Sequence, residues 1–233
     1  MQIHPIKALS DNYIWVMEEG KDAAVVDPGE SQGVLEYLEK EQKNLQGILL
    51  THEHTDHVGG VEDILAAYPD TPVYGPSETA EYASTIVKKG DTVELLGLTF
   101  EVLKTAGHSK EHISFLSGDS LFCGDALFSG GCGRVFTGDY QAQYDALQQF
   151  AKLNGTVAVY AGHEYTETNL RFAQSVEPDN EKIAEALKEA QEKRENDQPT
   201  LPSTIEKEKN INLLMEAENL ERFIELRKAR DEF

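Results

Sequence analysis

Thr51-His52-Glu53-His54-Thr55-Asp56-His57 follows directly on the apolar run Ile48-Leu49-Leu50 and packs three imidazoles and the Asp56 carboxylate into six positions. On an extended chain residues i and i+2 share a face, so His52 and His54 reach toward the same ion. Asp56 and His57 come just after the chain turns, where neighbouring side chains diverge. A second ion beside the first lets both of them coordinate. The bland alternative is a polar loop of solvated histidines, and this density of ligand-type residues argues against it.

Working outward, short apolar runs suited to strands occupy 2–8, 12–18, 23–27, 46–51, 98–104, 113–117, 120–123 and 157–160, bounded by Gly, Asp, Asn and Pro. Helical spacing covers 31–43, with Val34, Leu35 and Leu38 on one face, and 140–153, with Tyr144, Leu147 and Phe150. Strands and helices mixed in this order imply an α/β layered architecture. Beyond about residue 165 strand signals give way to charged helical patterns. Ile183, Leu187 and Ala190 line one face of 181–196, Pro199 and Pro202 break that helix, and Ser203 is placed to cap the next. A last helix carries Leu220, Phe223, Ile224 and Leu226.

The 233 residues suit one large domain or a domain with a small appendage. No apolar run reaches the length of a membrane span, and the start Met1-Gln2-Ile3-His4-Pro5-Ile6-Lys7 lacks the apolar segment of a signal peptide. Cys123 and Cys132 are the two cysteines, so no disulfide framework is implied and a reduced, cytoplasmic protein is expected. A net charge of -21 argues against nucleic acid or an anionic membrane as partner, since both need a positive field. Salt adaptation also produces such a surface; an ordinary solubilising surface is the simpler reading.

Three more ligand-type residues stand at strand ends: His108 after Thr105-Ala106-Gly107, Asp125 after Cys123-Gly124, and His163 after Ala161-Gly162. Small residues before each let backbone come close to a crowded site. Ligands displayed separately at strand ends are how rigid scaffolds build a metal centre.

The His-x-His-x-Asp-His motif, followed by Gly-His, Gly-Asp and a later Gly-His, resembles the metallo-β-lactamase superfamily. The resemblance implies an αββα sandwich, here as a catalytic domain over 1–165, with a helical substrate-binding domain over 166–233. It implies that His52, His54 and His108 bind one metal, that Asp56, His57 and His163 bind the other, and that Asp125 bridges them. Five neutral imidazoles and two carboxylates around two divalent ions leave a net +2, which lowers the pKa of bound water to roughly 7. Nitrogen and oxygen ligands suit zinc foremost, and iron or manganese as well. By the same resemblance His112 is a structural or supporting residue and not a ligand. His4 reads as an ordinary partly buried histidine, and the two cysteines as small packing residues.

Further segments narrow the resemblance to the glyoxalase II (hydroxyacylglutathione hydrolase) family: Ser10-Asp11-Asn12-Tyr13-Ile14-Trp15-Val16, Ser129-Gly130-Gly131-Cys132-Gly133-Arg134, Gly162-His163-Glu164-Tyr165-Thr166, and the tail Leu226-Arg227-Lys228-Ala229-Arg230-Asp231-Glu232-Phe233. That family implies hydrolysis of S-D-lactoylglutathione to glutathione and D-lactate by a monomer. A metal-bridging hydroxide is then the nucleophile, and no protein side chain is. A thiol of pKa ~8.5 departs without a general acid. Arg134, Phe136 and Tyr165 are the implied substrate contacts. The family's helical-domain arginine is replaced, in Asn212-Leu213-Leu214-Met215-Glu216, by an anion, so Arg222, Arg227 or Lys228 is expected to supply a cation. A same-fold enzyme for another thiol ester, or a glutathione persulfide dioxygenase using one iron and O₂, is the alternative.

Overall fold

Twelve strands and eight helices form in a computed structural model that describes residues 1–233. The chain divides into two compact units, the first Met1–Lys104 with Glu111–Ser117, the second Thr105–Lys110 with Gly118–Phe233. The strands fall into two six-stranded mixed sheets, β1–β6 and β7–β12.

The first unit carries β1 (Gln2–Ala8), β2 (Asn12–Glu19), β3 (Asp22–Val26), α1 (Gln32–Lys40), β4 (Asn44–Leu49), α2 (Thr55–Val58), α3 (Val61–Ala67), β5 (Val73–Gly75), β6 (Thr85–Ile86), β7 (Thr92–Leu95), β8 (Leu98–Lys104) and β9 (Ile113–Ser117). β1, β2 and β3 pair antiparallel, with Ile6 opposite Ile14 and Trp15 opposite Val26. From β3 to β6 the pairing is parallel. Tyr13 to Met17 are all buried, so β2 reads as a continuous apolar run rather than an alternating one. Val34 and Leu38, one turn apart on α1, join Ile14, Val16, Val25 and Ile48 in the core. Leu95 of β7 lies against Gly47 of β4, and β7, β8 and β9 continue as an antiparallel meander.

The second unit carries β10 (Ser120–Gly124), α4 (Tyr140–Phe150), β11 (Ala158–Ala161), α5 (Thr166–Val176), α6 (Glu181–Glu195), β12 (Ser203–Thr204), α7 (Ile205–Ile211) and α8 (Leu220–Glu232). β10 and β11 are parallel, and β12 joins β11 antiparallel. Leu170, Ala173, Ile183, Leu187, Ala190 and Ile211 make a small core between α5, α6 and α7. None of the helices is long and apolar enough to cross a membrane.

Strands expected at 98–104 and 113–117 form over those residues, and the 181–196 helix ends one residue short. Ser203 is not the cap of α7. It is held extended opposite Val159, its hydroxyl donates to Glu208, and Thr204 caps the helix by accepting the Lys207 N–H at 3.2 Å.

Candidate metal centre

The His52–His57 segment is held by a carboxylate from the neighbouring strand. Asp27 follows β3 with a left-handed φ of 51°, and its N–H donates to Leu49 O at the end of β4. From there its Oδ1 accepts the Thr51 N–H at 2.8 Å, while Oδ2 accepts the Thr51 hydroxyl at 2.7 Å and His57 Nδ1–H at 3.0 Å. The proton of His57 is therefore on Nδ1, leaving the Nε2 lone pair for a metal. Having given its proton to Asp27, the Thr51 oxygen accepts from His52 Nδ1 at 3.0 Å, which leaves His52 Nε2 without a proton as well. One buried carboxylate thus sets two imidazole tautomers.

His52 Nε2 lies 3.0 Å from His54 Nδ1. Two nitrogens bound at about 2.0–2.1 Å to one tetrahedral ion stand roughly 3.3 Å apart, so this pair is close to the spacing of two ligands to a common metal. Asp56 and His57 lie in the first turn of α2. Asp56 Oδ2 and His57 Nε2 nevertheless converge to 3.6 Å, with Asn12 Nδ2 donating to Asp56 Oδ2 at 3.0 Å and to its carbonyl at 3.2 Å. His112 is fully buried and stacks on His52 with ring centroids 4.8 Å apart. His4 packs against Tyr37 at 4.9 Å, and burial lowers its pKa.

In the second unit Asp125 Oδ2 lies 3.3 Å from His108 Nε2 and 3.4 Å from His163 Nε2. His108 Nδ1 donates to the Arg134 carbonyl at 2.8 Å, which fixes the same tautomer as in His57. Two glycines make this packing feasible. A Cβ on Gly133 would fall 2.3 Å from Asp125 O and 2.7 Å from His108 Nδ1. Gly107, at φ +137°, takes a backbone conformation closed to other residues and abuts Gln143. Tyr165 stacks flat on His163 at 4.7 Å, and Phe128 meets both rings edge-on. Phe136 lies 5.4 Å from His108, is 63% exposed, and has Arg134 Cζ 5.9 Å above its ring.

Burial raises the pKa of both cysteine thiols, with Arg227 partly offsetting it at Cys132, so neither is a thiolate nucleophile. The donor sets, neutral imidazoles with oriented second nitrogens beside carboxylate oxygens, fit divalent metals that favour nitrogen and oxygen.

Asp27, Thr51 and Asn12 bond to the candidate ligands or to the residues beside them, a supporting role the sequence reading gave to none of the three. The visible signal for Asp27 is a polar residue closing an apolar strand, before Pro28-Gly29. Glu208 is another: fully buried, it accepts from Ser129 Oγ and the Gly130 N–H at 2.8 Å each and from Asn212 Nδ2 at 3.2 Å, bracing the loop that leads to Arg134. Burial raises its pKa.

The cations expected near the substrate are differently disposed. Arg227 is buried, donating to Cys132 O at 2.6 Å and Asp231 at 2.9 Å. Arg222 pairs with Glu225 at 3.1 Å and borders a cavity of about 180 Å³ that also exposes Glu177, Glu216 and Glu218. Lys228 Nζ sits 5.7 Å above the Tyr140 ring.

The sequence profile of the metallo-beta-lactamase superfamily matches residues 9–163, and that of the hydroxyacylglutathione hydrolase C-terminus matches residues 164–233. The chain is 50% identical to the hydroxyacylglutathione hydrolase of Haemophilus ducreyi and 52% to that of Glaesserella parasuis, over the full length of each. Among solved structures, ETHE1 from Myxococcus xanthus shares the fold with a TM-score of 0.75 and 25% identity, covering 98% of this chain and 90% of its own. TTHA1623 in a di-iron-bound form gives 0.59 and 27%, covering 70% of this chain and 92% of its own.

Proposed function

The chain belongs to the metallo-β-lactamase superfamily and, within it, to the hydroxyacylglutathione hydrolases, and from that membership we propose that it hydrolyses S-D-lactoylglutathione to glutathione and D-lactate, the second step of methylglyoxal detoxification. The observation that carries this reading is the full-length identity of about half to curated relatives of that name, with every implied ligand-type residue present. The 1–165 region is taken as the catalytic domain and 166–233 as the helical substrate-binding domain.

His52, His54 and His108 would hold one divalent ion and Asp56, His57 and His163 a second, with Asp125 shared. Zinc suits this donor set foremost, iron and manganese also. The di-iron form of TTHA1623 supports two ions in a related fold. When bound, such ions supply positive charge that brings the pKa of water to about 7 and offsets negative charge developing on a thioester carbonyl.

The side chains supply placement. Asp27 keeps His57 and, through Thr51, His52 in the tautomers that present Nε2. The Arg134 carbonyl does the same for His108, and its guanidinium, with Phe136 and Tyr165, would face the tripeptide. The departing glutathione thiolate has a pKa near ~8.5 and needs no protonation, consistent with the absence of a proposed general acid. The protein is read as a monomer of the cytoplasm acting on a small-molecule thioester, without nucleic acid or membrane.

Release of free thiol from S-D-lactoylglutathione, followed alongside oxygen uptake with glutathione persulfide, tests the assignment. Thiol release without oxygen consumption is expected. Oxygen uptake with one iron per chain and no thioester turnover would replace it with a dioxygenase.

A further inference from the structure

His108 and Asp125 belong to the second unit and stand on separate segments of it, each at the end of a strand. The opening turn of α4 lies between those segments. The buried face of that helix is Gln143, Ala146, Leu147 and Phe150, spaced i, i+3, i+4 and i+7. Gln143 is the one polar residue in this otherwise apolar stripe, and it is fully buried.

On one side of Gln143 is Gly107, directly before His108. A Cβ there would fall 2.5 Å from Gln143 Cβ and 2.7 Å from its Cα and N, so the helix occupies the space that a side chain at 107 would need. Thr137 Oγ1 donates to Gly107 O at 2.6 Å and accepts the N–H of Asp139, the residue that caps α4 through the Ala142 N–H. The His108 segment is thus seated on the start of α4. On the other side is Ala126, directly after Asp125. Gln143 Nε2 donates to Ala126 O at 2.8 Å, and no backbone N–H reaches that carbonyl. The Asp125 carbonyl accepts from Gly133 N and the Ala126 N–H donates to Cys123 O, so the amide of Gln143 is what ties this turn to the helix.

For folding alone an amide is a poor choice at this position. Gln143 Oε1 is buried without a hydrogen-bond partner, and an unpaired buried acceptor is unfavourable. An apolar side chain of similar size would fill the same space and merely exchange one unpaired acceptor, Oε1, for another, Ala126 O. It would not hold the turn that carries Asp125. We infer that Gln143 is a positioning residue of the metal centre, tying the Asp125 turn to the helix on which the His108 segment sits. The tie sets the 3.3 Å approach of Asp125 Oδ2 to His108 Nε2. The inference rests on the proposed ligand roles of those two residues and deepens them.

The test compares the full-length wild-type protein with Q143M and Q143L, which keep the bulk and remove the donor. Zinc-loaded proteins titrated with a chromophoric chelator give the zinc Kd, and melting in excess chelator gives the stability of the fold without metal. Direct outer partners of metal ligands are worth about 10- to 100-fold in metal affinity, and Gln143 acts one step further out, so both variants should hold zinc about 10-fold more weakly. Their metal-free melting temperatures should stay at the wild-type value, a combination that loss of ordinary core packing does not produce. A lowered melting temperature with zinc affinity intact would make Gln143 a core residue only and overturn the inference. Failure of both variants to fold without metal would overturn it too, because the amide would then be needed for the fold itself. A wild type that holds no zinc removes the ligand reading and this inference together, whereas zinc held equally by all three proteins overturns this inference alone.

Discussion

Replacing Asp27 should loosen two histidines at once. Asp27→Ala strands the Thr51 N–H, the Thr51 hydroxyl and His57 Nδ1–H, three donors now satisfied at 2.8, 2.7 and 3.0 Å. All belong to residues no more than 1% exposed, so solvent does not replace the lost acceptor. A stranded buried donor costs about 1–3 kcal/mol, and the Thr51 hydroxyl recovers part by rotating, which gives a loss of about 3–5 kcal/mol in stability. Asp27→Asn is the sharper probe. It keeps shape and one acceptor oxygen but turns an N–H toward groups that themselves donate, favouring the wrong tautomer of His57 and, through Thr51, of His52. Outer partners of metal-bound histidines are worth about 10- to 100-fold in metal affinity. Competition titration against a chromophoric chelator, beside thermal melting, separates the two effects. An Asp27→Asn protein that binds metal as tightly as wild type would refute the claim that this carboxylate sets the tautomers.

Asp125→Ala removes the oxygen that both His108 Nε2 and His163 Nε2 face at 3.3 and 3.4 Å, and thioester turnover should nearly vanish while the melting temperature moves little; full activity would sink the shared-ligand role. Glu208 offers a pH prediction with an inverted sign. Because burial raises its folded pKa above the unfolded value, its contribution to stability is fully present below the ordinary carboxylate range and is lost as pH rises through the folded pKa. Urea titrations of wild type and Glu208→Gln should therefore differ more in favour of wild type at pH 4 than at pH 7. A gap that is flat or grows with pH contradicts the assignment.

The ligand-type residues were legible because seven of them stand in or beside strand ends, where few other pressures collect histidine and aspartate. The supporting residues were not. Nothing local separates Asp27 from other acidic residues near turns, since its role depends on β4 lying parallel beside β3. Glu208 sits in Glu206-Lys207-Glu208-Lys209, where all four read as a solvated helical face, yet Glu208 alone of them is fully buried, because its carboxylate meets Ser129, Gly130, Ser203 and Asn212. Between residues 55 and 95 the elements are too short to show a period: α2 has four residues, β5 three and β6 two. Ser203 and Thr204 are equally good caps by residue type, and only the pairing of Ser203 with Val159 decides between them.

Stripping the protein of metal with a chelator and restoring divalent zinc stepwise, while following thiol release from S-D-lactoylglutathione, tests the central claim most directly. The account predicts no thiol release from the stripped protein and activity that climbs to a plateau at two equivalents per chain. Full turnover without metal, or a plateau at one equivalent, would contradict it.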